Sequence, residues 1–206
     1  MPRRDRSDRE EEIETAAYQL LEQRGFAGTG MQAIALAARA SNETLYRWYG
    51  DKIGLFRALI SRNAEIVAAE IRVARQKGDH GLDALDRAGS VLLAMLLGNR
   101  AIALNRAAAA DPTGKLGRTL CESDRNVVTP LIGQLMAEAM QLGQIAGRPC
   151  DSAVTPQDLA ELWLTLLIGD LRIRCVTGDI PALPDDEVRT RSRLARERLL
   201  RVYPSH

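Results

Sequence analysis

"SNETLYRWYGDK", residues 41–52, decides how the rest of the chain is read. Aromatic residues make up only 4% of the sequence, yet Tyr46, Trp48 and Tyr49 crowd into four positions here. Ser41 can cap a helix that starts behind it, and Gly50 sits where that helix would stop. Leu45 and Tyr49 are four apart and share one face, suited to a core. Tyr46 and Trp48 fall on the flanks, and Asn42, Glu43, Thr44 and Arg47 are left facing outward. A short helix with aromatics on several faces has more than one surface to serve.

Outward from this segment, the pattern remains helical. Ile13, Ala17, Leu20 and Leu21 predict a first helix from about Asp8 to Arg24, with Gly25 as the left-handed terminator and Phe26 turning into the core. Thr29 and Gln32 have capping-box spacing, so a second helix carrying Met31, Ile34, Ala35 and Ala38 inward is expected to begin there. After a break at "RAS", the helix capped by Ser41 is the third. Asp51 caps a long fourth, with Leu55, Phe56, Leu59, Ile60, Ile66, Val67 and Ile71 on one side, as far as about Gln76.

Three short helices, the second and third joined by a tight turn, form a helix-turn-helix. Such a pair buries one side of its second helix and lays the other in the DNA major groove, with its flanks against phosphates. Asn suits bidentate pairing with adenine and Arg with guanine, whereas phosphate contacts position without reading sequence. Glu43 can accept from cytosine or simply favour the helix N-terminus.

The segment "IETAAYQLLEQRGFAGTGMQAIALAARASNETLYRWYGDKIGLFRALI", residues 13–60, resembles the DNA-binding domain of TetR/AcrR-family transcriptional repressors. The matching positions include Ala16, Ala17, Gly25, Phe26, Thr29, Met31, Ile34, Ala35, Ala38, Ser41, Thr44, Leu45, Tyr46, Tyr49, Lys52, Leu55 and Phe56. The resemblance implies that Thr29, Tyr46 and Lys52 contact phosphates and that Asn42, Glu43, Thr44, Arg47 and Trp48 lie on the groove-facing helix. Two positions depart from the pattern. Arg39 stands where the family usually has Gly in the turn, so the turn is remodelled or Arg39 reaches phosphate. Tyr49 replaces the more usual Phe, which a partly buried ring tolerates if its hydroxyl finds a partner.

Beyond "KGDHG" the sequence becomes aliphatic and nearly free of aromatics, which places a domain boundary in or just after the fourth helix. The expected division is a DNA-binding domain at 1–52 and an effector-binding and dimerisation domain at 53–206, joined through the helix 52–76. Helices are expected in "LDALDRAGSVLLAMLLG", in "RAIALNRAAAA" and from near Leu116; Pro130 either kinks that last one or starts a new segment. A helix from about Pro156 to Val176 is apolar on two sides, and a final one runs from about Asp185 to Val202. The fold class expected is all-α, with about nine helices. The resemblance implies an effector pocket in the C-terminal helices, for which Met95, Leu96, Leu104, Trp163 and Leu167 are candidate walls and Asn105, Arg106 and Asp170 candidate polar anchors.

With 46% apolar residues, 27% charged and a net charge of +1, the composition fits an ordinary globular protein and names no partner. Cys121, Cys150 and Cys175 form no CxxC pair, so neither a disulfide framework nor a zinc site is suggested, and a cytoplasmic location is expected. No apolar leader or long uncharged span argues for secretion or a membrane. His80 and His206 offer no catalytic centre, and no nucleophile elbow or phosphate loop is present. Arg3, Arg4, Arg6 and Arg9 read as a DNA arm or as a solvated tail diluted by Asp5, Asp8 and Glu10 to Glu12. The expected protein is a homodimer, paired through its last two helices, that leaves a palindromic duplex operator when a small, mainly apolar effector tilts the fourth helix. No cofactor, metal or enzymatic activity is expected. The alternative is a helical small-molecule carrier or enzyme with a merely structural N-terminal bundle, and activation in place of repression is left open.

Overall fold

The computed structural model describes residues 6–146 and 154–205; Arg3, Arg4, Cys150 and His206 lie outside the described residues. Those described are helical, without a strand: α1 Arg6–Gly28, α2 Met31–Ala37, α3 Asn42–Tyr49, α4 Lys52–Gln76, α5 Gly81–Leu97, α6 Asn99–Ala109, α7 Lys115–Ser123, α8 Thr129–Gln141, α9 Pro156–Ile168, α10 Leu171–Thr177 and α11 Asp185–Val202. There are more than nine because two expected helices are each divided. Asp124–Val128 forms a π-helical turn between α7 and α8, and Pro130 falls in the first turn of α8. Proline lacks the N–H and its ring crowds the carbonyl four residues back, and the wider turn relieves both. The second division is at Gly169, whose φ of 50° ends α9 before α10 begins.

The chain forms two compact units, and they do not follow sequence order: 1–62 with 100–121, and 63–99 with 122–206. In the first unit, Ile13, Ala17, Leu21, Ile34, Leu45, Leu55, Phe56 and Leu59 form one buried cluster that also takes in Leu104, Ala107 and Leu116 from α6 and α7. Each fully buried Leu, Ile or Phe among them contributes about 1.5–3 kcal/mol. The apolar stripe of α6 is therefore part of the core beneath the helix-turn-helix, which the expected division at residue 52 did not include. The turn between α6 and α7 is fixed by Asp111, whose carboxylate accepts from the backbone N–H groups of Thr113 (3.0 Å) and Leu116 (3.0 Å).

In the second unit, α5, α8, α9 and α11 pack in a ring of neighbours, α5 on α8, α8 on α9, α9 on α11 and α11 on α5. Trp163 is wholly buried among them, and a Cβ on Gly89 would come within 2.7 Å of its ring. Thr155 and Asp158 make a reciprocal capping box at the start of α9, and Arg191 donates to the carbonyl of Leu167 near its end (3.0 Å). The Gln144 side chain accepts from the N–H of Leu82 (2.9 Å) and Glu138 from that of Gly81 (3.3 Å), satisfying the open N-terminus of α5.

Candidate nucleic-acid interface

Helix α3 is built as its sequence indicates. Ser41 Oγ accepts from the N–H of Thr44 (3.0 Å), a cap contributing about 1 kcal/mol. Gly50, at φ 76°, ends the helix, and its N–H donates to Tyr46 O. Leu45 has no exposed surface and anchors the helix, while Asn42, Glu43, Tyr46 and Arg47 are exposed. Thr44 is half-buried, its hydroxyl engaged with Ser41 Oγ (2.8 Å). Asp51 Oδ1 then accepts from Gly54 N (2.7 Å), opening α4.

The turn between α2 and α3 passes through Arg39 in place of the glycine of the family pattern. Arg39 adopts φ 50°, the only positive φ at a non-glycine residue among those described. A left-handed L-residue costs about 1–2 kcal/mol. The side chain of Arg39 is exposed.

Of the three residues matched to phosphate contacts, only Tyr46, at 50% exposure, is openly presented. Thr29 is fully buried and its Oγ1 donates to Gly25 O (2.8 Å), so it leaves no surface for a phosphate; nor does it cap α2, whose N-cap is Gly30 without a side-chain bond. The capping-box expectation fails because Gly25 breaks α1 in a left-handed conformation, and its carbonyl takes the hydroxyl instead. Lys52 is half-buried; its ammonium donates to Phe26 O and lies 3.7 Å from the Phe26 ring centre. Burial lowers its pKa, against the opposing pull of Asp111. Trp48 is half-buried as well, with the Arg6 guanidinium 5.2 Å from its ring and Tyr49 edge-on at 6.4 Å.

Sequence reasoning did not assign several supporting groups. Glu14 is buried on α1 and bonded by Arg62 of α4 (3.2 Å); burial raises its pKa despite Arg62 and Arg100. A glutamate on the apolar face of the first helix was the available signal. The Tyr49 hydroxyl is buried and finds no partner among the described residues, contrary to the condition set for replacing Phe; burial pushes its pKa up to about 12. Leu36 of α2, 82% exposed, is an apolar outlier on this unit.

The expected effector residues are divided between the two units. Leu104, Asn105 and Arg106 belong to the first unit: Leu104 is core, Asn105 donates to Ala101 O (2.9 Å), and Arg106 is exposed. Met95, Leu96, Trp163, Leu167 and Asp170 belong to the second. Leu96, Trp163 and Leu167 are buried there and Met95 is half-buried, whereas Asp170 is exposed in the break before α10 and cannot anchor an enclosed ligand. The indole N–H of Trp163 has no partner among the described residues. Among those residues, no group of three or more His, Cys, Asp or Glu is arranged to hold a metal, and no single helix is long and apolar enough to cross a membrane.

A capped, outward-facing α3 set on a buried three-helix core defines a helix-turn-helix DNA-binding domain. Residues 13–59 match the sequence profile of the bacterial regulatory proteins, tetR family. Within residues 13–59 the chain is thus similar to the DNA-binding domain of that family. No protein among the curated ones matches it in sequence. Among solved structures, a TetR transcriptional regulator from Agrobacterium tumefaciens is similar over 96% of this chain and 95% of its own, at 24% identity and a TM-score of 0.72. The flavonoid-responsive regulator FrrA is similar over 96% and 97%, at 24% identity and a TM-score of 0.67. The fatty acid degradation regulator FadR from Bacillus halodurans is similar over 90% and 96%, at 15% identity and a TM-score of 0.66. These likenesses describe the fold.

Proposed function

We propose that the chain is a cytoplasmic, homodimeric repressor that reads a palindromic operator through the α3 of each copy and leaves it when a small, largely apolar effector binds. The observation that carries this reading is α3 itself: an anchored helix with Asn42, Glu43 and Arg47 exposed beside Tyr46. Asn and Arg supply the bidentate donors that distinguish adenine and guanine, and Tyr46 supplies a phosphate donor on the flank.

Dimerisation is assigned to α9 and α11, which already pack on each other within one copy. The exposed side of α11, with Arg189, Arg193, Arg198 and Arg201, forms the charged rim of that interface. Effector binding is assigned to the second unit, where Met95 and Leu96 on α5 and Trp163 and Leu167 on α9 supply apolar surface and the Trp163 N–H a donor. Two structural relatives are named for response to flavonoids and for regulation of fatty acid degradation, which favours apolar organic compounds for a first screen. The fourth helix runs through both units and is the proposed lever between effector and DNA.

The test is mass measurement in solution followed by selection from randomised duplex DNA. A dimeric mass with enrichment of an inverted repeat, its half-sites about one helical turn or a multiple apart, supports the reading. A monomer at micromolar concentration, or no enrichment even at low salt, refutes it. Release of the enriched duplex by flavonoids or fatty acids then tests the effector assignment.

A further inference from the structure

We propose that Arg9 of α1 is a positioning residue for DNA reading, holding the α2–α3 turn in the left-handed form that Arg39 disfavours. The inference rests on the DNA-reading role of α3 proposed above. Helix α2 closes in a Schellman arrangement: Ala40 N–H donates to Ala35 O (2.9 Å) and Arg39 N–H to Leu36 O (3.2 Å). That arrangement requires a left-handed residue between them, where glycine is usual and Arg39 stands instead. The carbonyls of Ala38 and Arg39 on either side of this strained unit accept from Arg9 Nη1 at 3.5 and 3.3 Å. Both bonds are long, so Arg9 acts as a cation seated over two carbonyls at the C-terminal end of α2, where the helix dipole favours positive charge.

The guanidinium is itself held. Glu12, one turn along α1, accepts from the same Nη1 at 3.0 Å, and the Arg9 side chain is only 30% exposed. The adjoining groove, of about 420 Å³, is lined by Asp8, Glu11 and Glu12 together with Ala38 and Arg39. Such an acidic surround is poorly suited to receiving a phosphate, which separates Arg9 from a direct DNA contact. Its effect on DNA passes through the turn: the turn sets the direction of α3, and base-reading donors tolerate only about 0.5 Å of displacement.

The test is a cycle of four full-length proteins: wild type, Arg9→Ala, Arg39→Gly and the double variant. Each is titrated with the duplex that wild type enriches from a random pool, over a range of salt, and each is unfolded with denaturant. Losing a charge-assisted cap predicts affinity about tenfold lower for Arg9→Ala alone, but less than about twofold lower when added to Arg39→Gly, since glycine takes the turn unaided. The salt slope stays unchanged, and the denaturation midpoint falls more in the Arg39 background. Arg9→Gln, which keeps the stem and a donor, stands in if Arg9→Ala does not fold. Equal losses in both backgrounds, or a salt slope shallower by about one phosphate, overturn the proposal. If wild type binds no duplex, the DNA reading itself fails and the role of Arg9 in reading goes with it. The denaturation cycle then still separates a turn clamp from an idle surface arginine.

Discussion

Lys52 directs its ammonium to the carbonyl oxygen of Phe26 and lies 3.7 Å from the centre of the same residue's ring. The lysine at the start of α4 thus ties the turn after α1 to the helix that follows α3. Tyr46, by contrast, is half exposed and makes no such tie. The two residues share a phosphate role by family resemblance, but their settings predict different behaviour. Lys52→Ala is expected to lower the thermal midpoint and weaken all duplexes alike without changing the salt slope. Tyr46→Ala is expected to weaken all duplexes alike at an unchanged midpoint. A salt slope reduced by about 0.9 in Lys52→Ala, with unaltered stability, is the signature of a direct phosphate contact and contradicts this assignment.

The buried Tyr49 hydroxyl, unpartnered among the described residues, carries a desolvation penalty of about 1–3 kcal/mol. Tyr49→Phe is therefore expected to stabilise the protein by about 1 kcal/mol in denaturant unfolding, allowing for relaxation. Its pKa near 12, raised mainly by burial, means the folded state favours the neutral form, so this residue's contribution is intact below about pH 10 and lost as pH rises through about 12. That alkaline loss should shrink in Tyr49→Phe. Destabilisation by the variant counts against the packing described.

Gly89 lets α5 lie against the ring of Trp163. An added Cβ would meet Ser192 Oγ and come 2.7 Å from the Trp163 ring, and the indole is too rigid to give way cheaply. Gly89→Ala is expected to destabilise by about 1–3 kcal/mol, although alanine has the higher helix propensity. A neutral or stabilising result in denaturant unfolding shows that the second unit's core is looser than described.

Asp111 is held below the usual carboxylate range, first by the N–H of Leu116 and then by Thr113. A depressed folded pKa gives stability that is present above the unfolded value and lost as pH falls through the folded one. Acid unfolding should accordingly steepen below about pH 4, the model-peptide range for Asp. Asp111→Ala should flatten that limb while lowering the midpoint at neutral pH. Because Leu104 and Leu116 complete the core under the helix-turn-helix, a fragment ending at Gln76 should also be less stable than the same region in the full chain.

The parts legible in the sequence are those governed by local rules. Ser41, Gly50 and Asp51 mark the ends of α3 and the start of α4 through capping chemistry alone, and α4 and α11 end at the residues expected, Gln76 and Val202. What escaped depends on distant partners. Thr29 has capping spacing, but Gly25 competes for its hydroxyl. The stripe of α6 signals burial without saying against which core, and Leu104, a candidate pocket wall by sequence, is core of the first unit. Pro130 announces a disturbed helix, but whether it kinks, breaks or widens into a π-turn depends on packing on both sides. The clamp by Arg9 joins residues 29 and 30 positions apart, which no local pattern records.

The central claim is that α3 reads base identity, and paired selection from one randomised duplex pool tests it most directly, with wild type against the Asn42→Ala, Arg47→Ala double variant. The account predicts an inverted repeat from both, with the same half-site spacing but relaxed or altered bases at the positions these two side chains face. An identical motif from the two proteins contradicts the assignment of reading to α3, and no motif from wild type contradicts sequence-specific DNA binding itself.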